Sequence, residues 1–486
     1  MIQEQQRVKT FGLNILLLFL INALIKPFYL FGIDRTVQND LGAESYGLFA
    51  VFFNFVFLFQ IFADLGIQNF SQQWISRQRG SVKTLFARVL PAKGTMSLVF
   101  IPVIFLAGAL SGYLQEYPLL FSVLAFNFLL NSWVLFLRTV VSGLGYYRTD
   151  SLFSSLDKVL MIFLVGWMLW GGEEGALTLM RFVWAQSLSY GLTLIIVGLW
   201  VIRKIGRVSP SWTGPNFRVI MRKALPYATI VFLMTIFTRV DVIMIEWLLE
   251  DGYYQSGAYV AGVRLLDAAN MAGFLVAGLL LPMFSNASRS SKPPVELVRA
   301  GWFFLMAIAL PLSGFCWWYA EEITTGLYTE ATSMWSEIVA VLMLTFVVRS
   351  SDYVLGSLFT AYEYLRFLNV SYLIAVVLNI GLNLIMIPLF DAPGAAYTTL
   401  ITQSLIAIVF IIVAHRQLLH TSLWGTLARP LGLFVSLILY GYLLQGWNTA
   451  FFLSASAFLI GAAILTFSFG LLQPLIVIVF PSKGLN

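Results

Sequence analysis

The chain has 486 residues, 59% of them hydrophobic and 11% charged, with a mean hydropathy of +0.85. No soluble domain can bury that much apolar surface, so the class is a polytopic membrane protein. The formal charge is +6, but the basic residues are distributed over many short loops, which points to membrane orientation rather than to a nucleic-acid partner.

Apolar stretches of spanning length lie, in chain order, near 11–33, 46–68, 92–113, 117–137, 151–171, 177–202, 224–249, 256–281, 300–319, 334–356, 367–390, 394–414, 430–446 and 450–480. Each span needs about 20 apolar residues, so about fourteen helices consume most of the chain and leave no room for a separate soluble domain. The first run is too long for a signal-peptide core and lacks a small-residue cleavage site, so it reads as an uncleaved span.

Charge alternates from loop to loop. One face or its membrane boundary receives 24 of the 29 basic residues, among them Lys83, Lys93, Arg138, Lys158, Arg203, Lys204, Arg349 and Arg366. Most acids go to the other face, including Asp34, Asp40, Glu44, Glu321, Glu322 and Asp391. The positive-inside rule makes the basic face cytoplasmic and predicts that both termini are inside.

The sequence also repeats. Tyr147-Arg-Thr-Asp-Ser-Leu-Phe153 aligns with Tyr364-Leu-Arg-Phe-Leu-Asn-Val370 at an offset of 217, which also brings Ala185-Gln-Ser-Leu188 onto Thr402-Gln-Ser-Leu405. Near the start of each half, Tyr46-Gly-Leu-Phe49 pairs with Ser256-Gly-Ala-Tyr259 at an offset of 210. Six helices separate equivalent positions, so the two copies share one orientation. The predicted fold is all-α: two six-helix lobes related by a parallel repeat (1–203 and 224–415), a cytoplasmic linker (204–223) and two additional helices (416–486). Two parallel repeats are an alternating-access plan.

Lone Cys316 forms no disulfide within the chain, and His415 and His420 share one basic loop without metal-ligand spacing, so no metal is expected. No glycine-rich phosphate loop is present, so no nucleotide or other cofactor is expected.

Asp40-Leu-Gly-Ala-Glu-Ser-Tyr-Gly-Leu-Phe49, followed by Ala63-Asp-Leu-Gly-Ile67, resembles the start of the bacterial polysaccharide-export flippases. Arg239-Val-Asp-Val-Ile243 with Gly257-Ala-Tyr259 resembles the start of their second lobe, and Asn383-Leu-Ile-Met-Ile-Pro-Leu-Phe-Asp-Ala-Pro-Gly-Ala-Ala396 their late signature, with Asp391 where many relatives have glycine. The wider group is the multidrug/oligosaccharidyl-lipid/polysaccharide superfamily. The resemblance implies a non-enzymatic flippase of the bacterial inner membrane that moves a polyprenyl-pyrophosphate-linked saccharide among membrane lipids. Energy would come from an ion gradient, the membrane potential or removal of product outside, with a monovalent cation or proton and polysaccharide polymerase machinery as candidate partners. A multidrug antiporter of the same superfamily is the alternative, and a membrane glycosyltransferase a weaker one.

A pyrophosphate crossing hydrocarbon needs a polar, preferably cationic cavity. Five basic residues fall outside the inner-face set: Lys26, Arg35, Arg181, Arg239 and Arg264. Lys26 shares a helix face with Asn22 and Tyr29, next to Pro27, which should bend the helix. Lys26 has no acidic partner evident at its depth and is the first candidate for phosphate contact. Arg239 and Arg264 come next, and the related lipid II flippases imply roles for Lys26 and Arg264. Asp241 and Asp267 lie at depths comparable with the two arginines, so cross-helix salt bridges are the alternative reading there. Arg35 and Arg181 suit snorkelling to headgroups. Asp64, Arg138, Arg349 and Asp352 form a proposed inner gate of ion pairs. In the lipid II flippases the last helix pair forms a lipid-tail groove, which the run from Phe451 to Phe480 suits.

Overall fold

A computed structural model describes residues 24–68, 71, 75, 82–171, 175–211, 217–288, 293–420, 424–446 and 451–473. The predicted Asn22 lies outside them. Twelve helices among these residues are long and apolar enough to cross a membrane. One is a double span, so the chain-order labels run as follows. In the first half, α1 is the helix over 24–41, α2 Ala43–Phe59, α3 Val82–Leu110, α4 Pro118–Gly143, α5 Tyr147–Trp170 and α6 Leu179–Ile205. In the second, α7 is Phe217–Leu248, α8 Gly252–Ala287, α9 Val295–Trp318 and α10 Ser333–Ala361. Leu365–Val413 is broken at Asp391 into α11 (365–390) and α12 (392–413), and α13 (Trp424–Gln445) and α14 (Phe451–Ser468) complete the set.

The chain divides into two compact units, Met1–Val240 and Asp241–Asn486, and the division falls inside α7. In the first unit α4 packs against α6 and α5. In the second unit α10 packs against α8, α9 and the α11–α12 pair. It is the most enclosed span, with 72% of its apolar window buried, against 22% for α5. The repeat anchors occupy equivalent places: Tyr147 opens α5 as Tyr364 caps α11, and the aligned Gln186 of α6 and Gln403 of α12 are both buried.

Polarity is inverted relative to a soluble protein. Leu98, Leu106, Trp167, Leu439 and Phe467 are exposed, whereas Asn127, Gln186, Asn379 and Asn383 are buried. Lipid tails are as apolar as leucine, so side-chain hydrogen bonds and close packing join these helices. Asn127 illustrates the first, donating to the Val183 carbonyl at 3.1 Å and accepting from Ser187 at 2.6 Å. Gly273 illustrates the second, because a Cβ there would stand 2.2 Å from the Tyr353 ring.

Two residues after Pro27 the helix widens into a π-helical turn over Tyr29–Asp34, with the Arg35 N–H reaching the Leu30 carbonyl. Three residues assigned to the faces lie inside helices or the packed interior. Lys93 and Lys158, read as inner-face residues, each sit eleven residues inside α3 and α5, about 16 Å along the axis at 1.5 Å per residue. Asp34, read as an outer-face acid, is buried.

Candidate functional site

Three cations converge in the first unit. The charged groups acting on Lys26 of α1 are Arg138 of α4 and the adjacent Asp157 and Lys158 of α5. Lys158 holds Asp157 at 3.2 Å and stands 4.7 Å from the centre of the Tyr29 ring, and Tyr190 of α6 is a further neighbour. Arg138 donates to Asp150 at 2.9 Å across the α4–α5 turn.

The side chains of Arg138, Asp150, Asp157 and Lys158 are all partly exposed, between 17% and 29%. They therefore border open space rather than packed core. The cluster carries three cations against two carboxylates and extends from the α4–α5 turn to the middle of α5. Eight residues, about 12 Å of helix, separate Asp150 from Lys158. Three cations against two carboxylates beside the Tyr29 ring form an arrangement that can attract an anion. Lys26 and Tyr29 are brought together as their shared face requires. The reading that Lys26 lacks an acidic neighbour is corrected by Asp157. Asp157 and Lys158 were legible as two adjacent charges within a span, but Lys158 was counted with the basic face and Asp157 was not singled out.

Each of the four inner-gate residues has a charged neighbour within its own unit. Asp64 lies 3.6 Å from Lys93, and Arg138 takes Asp150. In the second unit Asp352 accepts from Tyr372 at 2.8 Å and feels Arg349, whose guanidinium lies 6.0 Å from the Tyr353 ring. Asp267 is a further charged neighbour of Tyr353.

Asp241 on α7 is buried and accepts from Tyr259 at 2.8 Å, Asn383 at 2.7 Å and Thr399 at 2.6 Å. Asn379 is a fourth neutral neighbour. These donors occupy the place that sequence reasoning gave to a cross-helix arginine bridge. The Asn383 Oδ1 is buried without a hydrogen bond, so carboxylate, amide and hydroxyl oxygens meet in one enclosed spot. Arg264 and Asp267 are half-buried on α8, and the Arg239 guanidinium lies 5.9 Å from the Phe57 ring within the first unit. Arg181 is exposed and donates to the Ala176 carbonyl.

A cavity of about 410 Å3 opens between α9, α10, α12 and α13. Its wall is apolar apart from Ser351 and Ser404, and α13 contributes Leu427, Pro430, Leu431 and Phe434. Of the two terminal helices only α13 lines it, while α14 packs on α9 and α13.

Comparison with solved structures gives the fold. A lipid II flippase, MurJ, in an inward closed conformation superposes with a TM-score of 0.66 at 13% identity, over 95% of this chain and 100% of that one. A point mutant of the Vibrio cholerae MATE transporter VcmN gives 0.57 at 15% identity, over 85% and 98%. A MOP superfamily transporter from Pyrococcus furiosus gives 0.58 at 12%, over 84% and 95%. Comparison with curated protein sequences finds no match. Residues 9–288 match the sequence profile of the polysaccharide biosynthesis protein family, which is more than half of the 486 residues. The two-lobed fold and the profile agree, and the chain belongs to the polysaccharide biosynthesis protein family.

Proposed function

We propose that this protein is an alternating-access flippase that carries a polyprenyl-pyrophosphate-linked oligosaccharide from the inner to the outer leaflet of the bacterial inner membrane. The observation that carries this reading is the grouping of three cations, Lys26, Arg138 and Lys158, with only two carboxylates among apolar helices. Charges inside hydrocarbon are expensive and face a cavity or a partner, and a pyrophosphate is a partner of the right sign. Arg138 meets the anion at the mouth, and Lys26 and Lys158 take it deeper. Arg264 on α8 supplies the corresponding cation of the second unit. The apolar cavity at α13 suits the polyprenyl tail.

Asp241 supplies the coupling. A carboxylate buried among neutral donors gains a charge partner by binding a proton or a monovalent cation. Occupancy that differs between two conformations then biases the equilibrium between them.

The test is a strain lacking the gene, its parent and complemented strains, with polyprenyl-pyrophosphate-linked saccharides extracted and quantified. Accumulation of a completed repeat unit in the deletion strain is the expected result. Lys26→Ala and Lys158→Ala should each lose roughly tenfold or more of transport at normal protein level, the size of one deleted charge-assisted contact. An unchanged lipid pool with altered sensitivity to cationic drugs would replace this reading with multidrug export.

A further inference from the structure

α2 ends in a break that is fastened from behind. After Phe59 the helix tightens to a 3-10 turn over Gln60–Ala63, and Leu65 and Gly66 then take φ of 42° and 81°. A leucine in the left-handed region costs about 1–2 kcal/mol, so surrounding contacts must hold it there. Lys93 provides them. With no exposed surface, it donates to the Ala63 carbonyl at 2.8 Å and to the Ser132 hydroxyl, and it faces the Asp64 carboxylate at 3.6 Å.

The break presents Asp64 to a cavity of about 320 Å3 within the first unit. Asp64 Oδ2 accepts the Gln68 N–H at 3.3 Å, and the buried Oδ1 faces Lys93 at 3.6 Å. Gln60, Gln68 and Thr235 bring polar groups to the same wall, and Phe57 and Phe232 bring rings.

The dimensions and charges select the occupant. The volume is about ten times a water's share of liquid, roughly 30 Å3, and falls in the range of small-molecule sites, about 300–1,000 Å3. A bare ion is too small for it. A purely apolar group would meet polar edges of Gln60, Asp64 and Gln68 that it cannot hydrogen-bond. Lys93 already offsets the Asp64 charge, which removes the advantage of a cation. A neutral molecule with many hydroxyls and an apolar C–H face satisfies every wall.

We propose that this cavity between α2, α4 and α7 is a sugar-ring subsite. Ring hydroxyls donate to Asp64 Oδ2 and exchange hydrogen bonds with the Gln60 and Gln68 amides, and the C–H face lies against Phe57 or Phe232. Lys93 is a positioning residue that holds the break and orients Asp64. The Arg239 guanidinium, 5.9 Å from the Phe57 ring, places a basic group beside the chamber for an anionic linkage. The proposal rests on the flippase reading and deepens it by assigning sugar recognition to residues separate from the Lys26 cluster.

The experiment measures binding to the full-length protein in lipid nanodiscs by native mass spectrometry, with two probes. One is the lipid-linked saccharide extracted from the deletion strain, and the other is undecaprenyl pyrophosphate without sugar. Gln60→Ala and Gln68→Ala should each weaken the saccharide probe roughly three- to tenfold, and Asp64→Asn by more, roughly tenfold to a hundredfold. All three should leave the sugar-free probe within about twofold, inside the spread of independent sites. Equal weakening of both probes, or of neither, overturns the sugar subsite and leaves the flippase reading standing. A wild-type protein that binds neither probe overturns the flippase reading and the subsite with it.

Discussion

Asp241 shows how much of this protein's chemistry rests on a single side chain. It is buried, and the three bonds it accepts come from groups without charge. Under the proposed coupling a proton or a cation joins the carboxylate there. Asp241→Asn keeps the shape and removes the charge, so transport into proteoliposomes should lose its response to an imposed sodium or proton gradient. A response equal to wild type would place coupling elsewhere. Asp241→Leu strands Tyr259, Asn383 and Thr399 at about 1–3 kcal/mol per buried group, and should lower thermal stability in detergent. Sequence reasoning found Asp241 because an acid inside an apolar run is conspicuous. It could not find Asn383 and Thr399 as its partners, since these lie 142 and 158 residues away and are ordinary polar residues in helices. Lys93 was hidden for another reason: α3 begins at Val82, ten residues before the apolar run suggests, and this carries the lysine into the interior.

At the scale of elements, breaks matter more than regular helices. The α11–α12 turn passes through Asp391 at φ 56° and ψ −150°, a region occupied almost only by glycine that costs about 1–3 kcal/mol for other residues. The turn is kept by contacts around it. The Ala392 N–H donates to Gln255 at 2.8 Å, and a Cβ at Gly394 would stand 2.1 Å from the Met386 carbonyl. Asp391 itself is exposed. Asp391→Gly should therefore raise the melting temperature of the purified protein without altering transport, and a lower one would show that the carboxylate stabilises the turn. The α2 break has the same character, with Leu65 strained and Lys93 as the clamp. Hydropathy marked these positions only as span ends, because a left-handed backbone and the group that secures it leave no periodic signal.

At the scale of the whole molecule, the alternation of loop charge predicts orientation. Alkaline phosphatase fused after Glu330, beside the acidic short helix Ala320–Leu327, should be active. Green fluorescent protein fused after Arg207, beyond the basic end of α6, should fluoresce. The opposite pattern would invert the topology and the direction of transport. The repeat gives this reading its internal check, since equivalent sequence anchors open equivalent helices in each half.

The sequence by itself determined the membrane class, the number and order of spans, the two-fold repetition and the family. Those properties depend on local hydropathy and on charge in short loops, which tertiary contacts do not alter. Only the tertiary structure decided which charges share a site. It joined Lys26 to Arg138, Asp157 and Lys158, gave Asp64 to Lys93, and surrounded Asp241 with neutral donors. Helices of one length and one polarity admit many rotations about their axes. The rotation adopted is fixed by packing against neighbours distant in sequence, and it determines which buried polar groups meet.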